Sequence, residues 1–234
     1  MPLGVTIPFS EAMRYMGSHN GVSKSDTTVK LMTEAIRSLE LYSSPKYVSR
    51  EFTLNTGAGN DMDSVISLGS FSVRSVSLAR NLKGCTRAVL FAATIGPQAD
   101  RLCKRAQLTS MAQAACYQAA GAAAIEALCD YINSNITRDY KADGFFTRPR
   151  FSPGYGDVSL EHQKDWFREL DITRNCGIEL TDSLLMIPTK SVTAIIGLSP
   201  DDRESCSLSQ SDMTACDLCD NSSTCAFTRK EQNI

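Results

Sequence analysis

Between Arg148 and Gln163 the chain reads RPRFSPGYGDVSLEHQ. Two prolines, two glycines, two arginines and a tyrosine specify more backbone than a surface turn needs. Arg150 offers a planar, two-pronged guanidinium donor of the kind that suits a carboxylate. Pro153 and Gly154 set a tight turn, and glycine lets a ligand approach the backbone closely. Tyr155 adds an aromatic face and a hydroxyl. Residue chemistry alone leaves two readings open: a ligand site, or a structural turn with Arg150 paired to a surface acid. A second candidate is Glu126, in AAAIEALCD. It borders the apolar stripe of a long helix, where Ala122 and Ala123 leave room for a ligand beside a carboxylate. A glutamate at such a border is more commonly just solvated. Asp130, one turn on, reads as solvated or as a helper.

The cysteines divide into two groups. Cys85, Cys103, Cys116, Cys129 and Cys176 are scattered and read as small apolar core residues. Cys206, Cys216, Cys219 and Cys225 crowd into the last thirty residues with the spacing C-x9-C-x2-C-x5-C. Four thiolates around a C-x2-C suit Zn²⁺ or an iron–sulfur cluster. The spacing is not a standard ferredoxin one, and it is not the C-x3-C-x2-C of radical enzymes. So polar a segment gains order mainly from ligation. The other reading is a thiol-rich tail.

Composition excludes several classes. The formal charge is −2, whereas a non-specific nucleic-acid binder needs a basic surface. No apolar run approaches the roughly 20 residues that span a bilayer. The opening MPLGVTIPFSEAMRY lacks the basic start and apolar stretch of a signal peptide, so a cytoplasmic location is expected. The two histidines, His19 and His162, belong to no convincing Ser/His/Asp set.

These groups must be positioned by a mixture of helices and strands. FSEAMRYMG and SDTTVKLMTEAIRSLELY read as helices, the second capped by Ser25 or Asp26. SSPKYVSREFTL shifts to extended structure, because Pro45 blocks a helix and Tyr47, Val48 and Phe52 favour a strand. SVISLGSFSV reads as one strand, and SVSLARNLKG as a short helix stopped by Gly84. RAVLFAATIG is apolar enough to be a buried strand, and Pro97 suits the first turn of the helix that follows. A long alanine-rich helix runs from Ser110 to about Arg138, and its alanines allow close approach of another element. LEHQKDWFREL is a helix with Ser159 as its cap. GIELTDSLLMI and SVTAIIGLS read as strands joined in a hairpin by PTKS. Strand pairs mixed with helices, without βαβ alternation, predict an α+β fold. We expect a twisted antiparallel sheet flanked by helices. The expected domains are a helical N-terminal segment over 1–55, a main domain over 56–200 and a Cys-rich tail over 201–234.

Five segments are collinear with a known family. AATIGPQADRL, the helix carrying IEALCD, RFSPGYGDVSLEHQ, GIELTDSLLMIP and KSVTAIIGLS resemble, in that order, the reactivation domain of cobalamin-dependent methionine synthase. The resemblance is closer to the stand-alone relatives of that domain in anaerobic bacteria. It covers about Ser64 to Ser199, and its most specific element is Arg-x-x-Pro-Gly-Tyr at Arg150–Tyr155.

The resemblance implies a methionine synthase activation component that binds S-adenosylmethionine and docks on a cobalamin-bearing methionine synthase subunit. Cobalamin stalled as cob(II)alamin takes one electron from a donor such as flavodoxin or ferredoxin. The cob(I)alamin formed then attacks the sulfonium methyl group, which traps an uphill reduction. The protein's part is to position the reactants, since the cofactor carries the chemistry. The family motif implies Arg150, Pro153, Gly154 and Tyr155 as ligand residues. Glu126 matches an acid that contacts the methionine end of the ligand. One departure is Ile196, which stands where the longer enzymes carry a tyrosine near the ligand. The chain has no cobalamin-binding Asp-x-His-x-x-Gly, so the partner is expected to carry the corrinoid.

Two other functions fit the same residues. In one, the tail holds a metal cluster and the chain is an electron-transfer or docking adaptor for another corrinoid protein. In the other, the fold is a ligand-sensing module without reactivation. We predict that replacing Cys216 and Cys219 together abolishes stoichiometric metal, because ligation needs several thiolates at once. Anaerobic purification followed by metal and sulfide analysis is the check. Iron with sulfide supports electron transfer, and zinc alone supports a structural staple. Absence of both metals from the wild-type chain would remove the electron-transfer reading.

Overall fold

The computed structural model describes residues 6–17, 25–56 and 65–201. Two N-terminal helices, α1 (Phe9–Tyr15) and α2 (Asp26–Tyr42), lead into strand β1 (Lys46–Thr56). Ser25 caps α2 by accepting the Thr28 N–H, as its sequence suggests. Next come β2 (Val65–Leu68), β3 (Phe71–Arg74), α3 (Val76–Asn81), β4 (Arg87–Thr94) and α4 (Gln98–Gln107). The long helix α5 (Met111–Ala142) is followed by β5 (Phe146–Thr147) and a 3₁₀ turn at Leu160–His162. The last elements are α6 (Gln163–Leu170), α7 (Ile172–Cys176), β6 (Glu179–Leu180), β7 (Met186–Ile187) and β8 (Ser191–Ser199).

Six strands form one sheet in the order β3-β2-β1-β4-β8-β5. Pairing is antiparallel at β1–β2, β2–β3 and β5–β8. Bonds flanking the central strands show the same sense: Leu54 N–H meets Thr86 O and Ser44 N–H meets Ile95 O, while Thr86 N–H meets Leu198 O and Ile95 N–H meets Lys190 O. The fold is therefore α+β with an antiparallel sheet, as the mixed element pattern predicts. β4 and β8 are buried on nearly every residue, which explains why both read as unbroken apolar runs. The outer strands β3 and β5 span four and two residues, too short to offer a long unpaired edge.

Two expectations are corrected. SVISLGSFSV is a hairpin rather than one strand: β2 and β3 pair with Leu68 opposite Phe71, and Gly69 takes a positive φ of 55° in the two-residue turn. Ile66 and Leu68 face inward, and so do Phe71 and Val73. A straight strand would put the second pair on the opposite face. The PTKS hairpin is also absent, because β8 lies between β4 and β5. β7 pairs instead with β6, in a separate two-stranded sheet. Thr181 closes that turn by accepting the Leu185 N–H on its hydroxyl. Pro188 has no N–H to give a ladder, and Asp100 on α4 takes both the N–H and the hydroxyl of Thr189.

Residue contacts group the chain into two compact units, each drawn from three stretches. The first comprises residues up to Val48, Ala92–Ile132 and Asp171–Val192. In it α2 packs on α1 and α4, burying Met32, Ala35 and Leu39. Gln113 and Tyr117 of α5 reach the Leu31 carbonyl and the Ser38 hydroxyl of α2. The close approach that α5's small residues permit is made by Lys190: a Cβ on Gly121 would stand 3.0 Å from its Cε. Burial pushes the Lys190 ammonium pKa down, against the opposing pull of Asp100 and Cys103.

The second unit comprises Ser49–Phe91, Asn133–Leu170 and the residues from Thr193 on. Its core holds Ile66, Leu68, Val73, Leu78, Leu90, Phe91, Trp166 and Leu170. Burying a side chain the size of Phe91 contributes about 1.5–3 kcal/mol. Trp166 packs on Phe71 with ring centroids 5.3 Å apart and donates its indole N–H to Ala194 O. Gly197 of β8 leaves no space: a Cβ there would lie 2.6 Å from Leu82 Cδ2 and 2.7 Å from Cys85 Sγ. We predict that Gly197→Ala lowers the free energy of unfolding by about 1–3 kcal/mol, the usual cost of overpacking. Urea denaturation checks this, and an unchanged midpoint would show that Leu82 and Cys85 move aside freely.

Candidate functional site

The Arg148–Gln163 segment lies wholly in the second unit and is tied down at both ends. Arg148 is buried; its N–H donates to Gly197 O at 2.8 Å and its guanidinium to Lys83 O at 2.9 Å. The Pro149 carbonyl accepts from Asn81 Nδ2 at 3.1 Å. Phe151 exchanges two backbone bonds with Ile195 of β8, at 2.9 and 2.8 Å. The chain then turns tightly. Tyr155 N–H donates to Ser152 O, Gly154 N–H to Val158 O and Val158 N–H to Tyr155 O. Gly154 has a φ of 92°, and a Cβ there would crowd Leu160 Cδ1 at 3.1 Å. The positive φ favours glycine, and the tight approach of Leu160 adds to the preference. Pro153 is buried and Gly154 exposed, and Tyr155 is 66% exposed. The turn thus presents a glycine backbone and an aromatic ring to solvent.

The far anchor is Asp157. Its carboxylate accepts from the Ser75 hydroxyl and from the Val76 and Ser77 N–H groups, the first turn of α3. Ser75 in turn caps the Leu78 N–H. What burial the carboxyl has works against its ionisation, but the bonds from Ser75, Val76 and Ser77 outweigh it and hold its pKa well below the usual carboxylate range. Gly156, with a φ of 54°, makes the approach possible, since a Cβ there would meet Ser77 Oγ at 2.8 Å. The loop therefore runs along α3, with Pro149 at Asn81 and Gly156 and Asp157 at Ser75–Ser77. Sequence reasoning missed this partnership. Its signal was Asp157 itself, an acid whose partners lie about 80 residues away.

Of the sequence-predicted ligand residues, Arg150, Pro153, Gly154 and Tyr155 share this loop. Ile196 is fully buried in β8 of the same unit, beside the Ile195 that pairs with Phe151. Glu126 belongs to the first unit, half-buried on α5, while Asp130 is exposed. His162 is engaged by Asp165 at 2.8 Å. The five scattered cysteines are buried and outside any disulfide, as expected of core residues. Cys206, Cys216, Cys219 and Cys225 lie outside the described residues. Among the described residues no three His, Cys, Asp or Glu side chains gather as a metal group, and no helix is long and apolar enough to cross a membrane.

The loop is thus bonded down on the antiparallel sheet and on α3, and carries an exposed glycine turn and an exposed aromatic ring. A family profile described as "vitamin B12 dependent methionine synthase, activation domain" matches residues 87–206. The chain belongs to this family. Among solved structures, it is similar to the crystal structure of the MetH reactivation domain bound to AdoHcy. The TM-score is 0.60 at 15% identity, over 85% of this chain and 75% of that one. No match was found among curated proteins.

Asp157→Ala is predicted to lower stability at pH 7 by about 0.5–2 kcal/mol, the range for a lost helix cap. Exposure places it toward the low end. Because the folded-state pKa is depressed, the stabilisation is complete above the unfolded value of about 3.9. It is lost as pH falls through the folded one. Urea midpoints of wild type and variant should differ by a constant amount from pH 7 to about 5, and the difference should narrow progressively as pH falls below about 4. A difference unchanged into acid would show that the carboxylate charge plays no part.

Proposed function

We propose that the protein binds S-adenosylmethionine and serves reductive remethylation of the cobalamin of a partner, a methionine synthase subunit stalled as cob(II)alamin. The observation that carries this reading is the Arg150–Tyr155 turn. Family membership supports reading it as a ligand loop, and its Gly154 backbone and Tyr155 ring stand open while both flanks are bonded down. The similar MetH domain has AdoHcy bound, the product left when S-adenosylmethionine gives up its methyl group.

The residues present fit such a ligand by donor chemistry. Arg150 suits the carboxylate as a two-pronged donor. The backbone at Gly154 and the ring of Tyr155 suit the adenosine. When bound, S-adenosylmethionine supplies a sulfonium methyl group for transfer to the partner's reduced cobalamin. The chain's own contribution is to hold the ligand in one orientation, which lowers the entropic part of the barrier. Ile196 brings no hydroxyl, so affinity here depends on the loop. The electron comes from a separate donor such as flavodoxin or ferredoxin. A metal held by Cys206, Cys216, Cys219 and Cys225 would add an electron relay or a staple, a reading supported by their spacing.

Calorimetry with S-adenosylmethionine tests the reading. Wild type should bind, and Arg150→Ala should weaken binding by about 1.5–3 kcal/mol, the scale of a hydrogen bond to a charged group. No wild-type binding at millimolar ligand would overturn the function. An unchanged affinity in the variant would remove Arg150 from the site.

A further inference from the structure

Gln163 closes the loop and begins α6. It is 5% exposed, and its amide oxygen is sealed from solvent with no hydrogen bond from any described residue. Buried acceptors are nearly always paired, so this one points to a donor that the described residues do not supply. Its surroundings say where the donor would sit. Leu160 and Gln163 are three apart across the 3₁₀ turn, which puts them on one face. Leu160 on that face touches the Gly154 turn, at 3.1 Å from where a Cβ would be. On the other side, Gln163, Trp166 and Leu170 make the buried stripe of α6. Trp166 bonds to Ala194 O, one residue before the Phe151–Ile195 bridge. Gln163 is thus bracketed by the two places where the loop is shaped, Gly154 and Phe151.

We propose that Gln163 is a specificity residue that recognises the adenine of S-adenosylmethionine, accepting a hydrogen bond from its 6-amino group; this rests on the function proposed above. A neutral acceptor out of water does not suit the ligand's ammonium, which needs a compensating charge. Arg150 already matches the charged end by type. A side-chain amide matches the adenine edge better than it matches a ribose hydroxyl. Its oxygen and NH₂ can meet the amino group and a neighbouring ring nitrogen together. Neither the family motif nor the aligned acid singles out this residue.

Calorimetric competition against S-adenosylmethionine, using adenosine and purine riboside, tests the inference. Purine riboside lacks only the 6-amino group. Wild type should prefer adenosine by about tenfold or more, the effect of leaving one buried acceptor unpaired. In Gln163→Met, which keeps the bulk and removes the acceptor, the two nucleosides should compete within about twofold of each other. A wild type that binds S-adenosylmethionine but takes both nucleosides equally would overturn the inference and leave the proposed function standing, without need of a folded variant. A variant that weakens both by one factor would mean that the amide braces the loop or holds a water, and would also overturn it. Failure of wild type to bind S-adenosylmethionine at all would remove both.

Discussion

One carboxylate against one short helix sets the position of the candidate site. Asp157 takes the Val76 and Ser77 N–H groups at the start of α3, where unpaired donors and the helix dipole favour a negative charge. α3 has only six residues, too few to be stable alone. Each partner therefore depends on the other: the helix needs the acid to complete its first turn, and the loop needs the helix as a fixed wall. Asn81 on Pro149 and Lys83 on Arg148 repeat the attachment at the other end. The residues between these anchors, Arg150 to Tyr155, have little freedom left to lose.

That restriction matters for binding. A ligand that must order a floppy loop gives up affinity in ordering it, whereas a loop already held does not charge that cost. The design leaves the exposed turn polar and open while the same few residues are braced from behind by the Phe151–Ile195 bridge. It also explains the density of prolines and glycines. Gly154 and Gly156 carry positive φ angles of 92° and 54°, and Gly156 also faces Ser77 too closely for a side chain. Pro153 is buried behind them.

Much of this was legible from residue types, and the failures have physical reasons. Buried strands such as RAVLFAAT announce themselves by unbroken apolarity, and Ser25, Ser159 and Gly84 mark element ends by local bonding or a left-handed φ. The β2–β3 hairpin was readable too: Leu68 and Phe71 are three apart, an odd step that a single strand with one buried face cannot take. The PTKS bend was not readable, because its donors are captured by Asp100, about 90 residues earlier. The loop stood out by composition, but its dependence on α3 did not, since nothing near Asp157 in the chain names Ser75 or Val76 as its partners. Long-range pairing of this kind leaves no local pattern.

The way the chain is divided has a consequence for its synthesis. The first unit needs Asp171–Val192 and the second needs residues from Thr193 on, yet both begin within the first fifty positions. Bonds such as Ser199 to Gly84 span 115 residues, and Ser70 to Glu169 spans 99. Contacts so distant in sequence close slowly, because the chain must lose its loop entropy before they repay it. A nascent chain emerging from the ribosome cannot complete the first unit until β8 has begun, nor the second until nearly all of β8 has been made. Until then β4 has β1 on one side only and leaves an unpaired apolar edge on the other, the kind of segment that invites chaperones or aggregation. Yield on expression should therefore track the speed of translation and the supply of chaperones more closely than it tracks the stability of the finished fold.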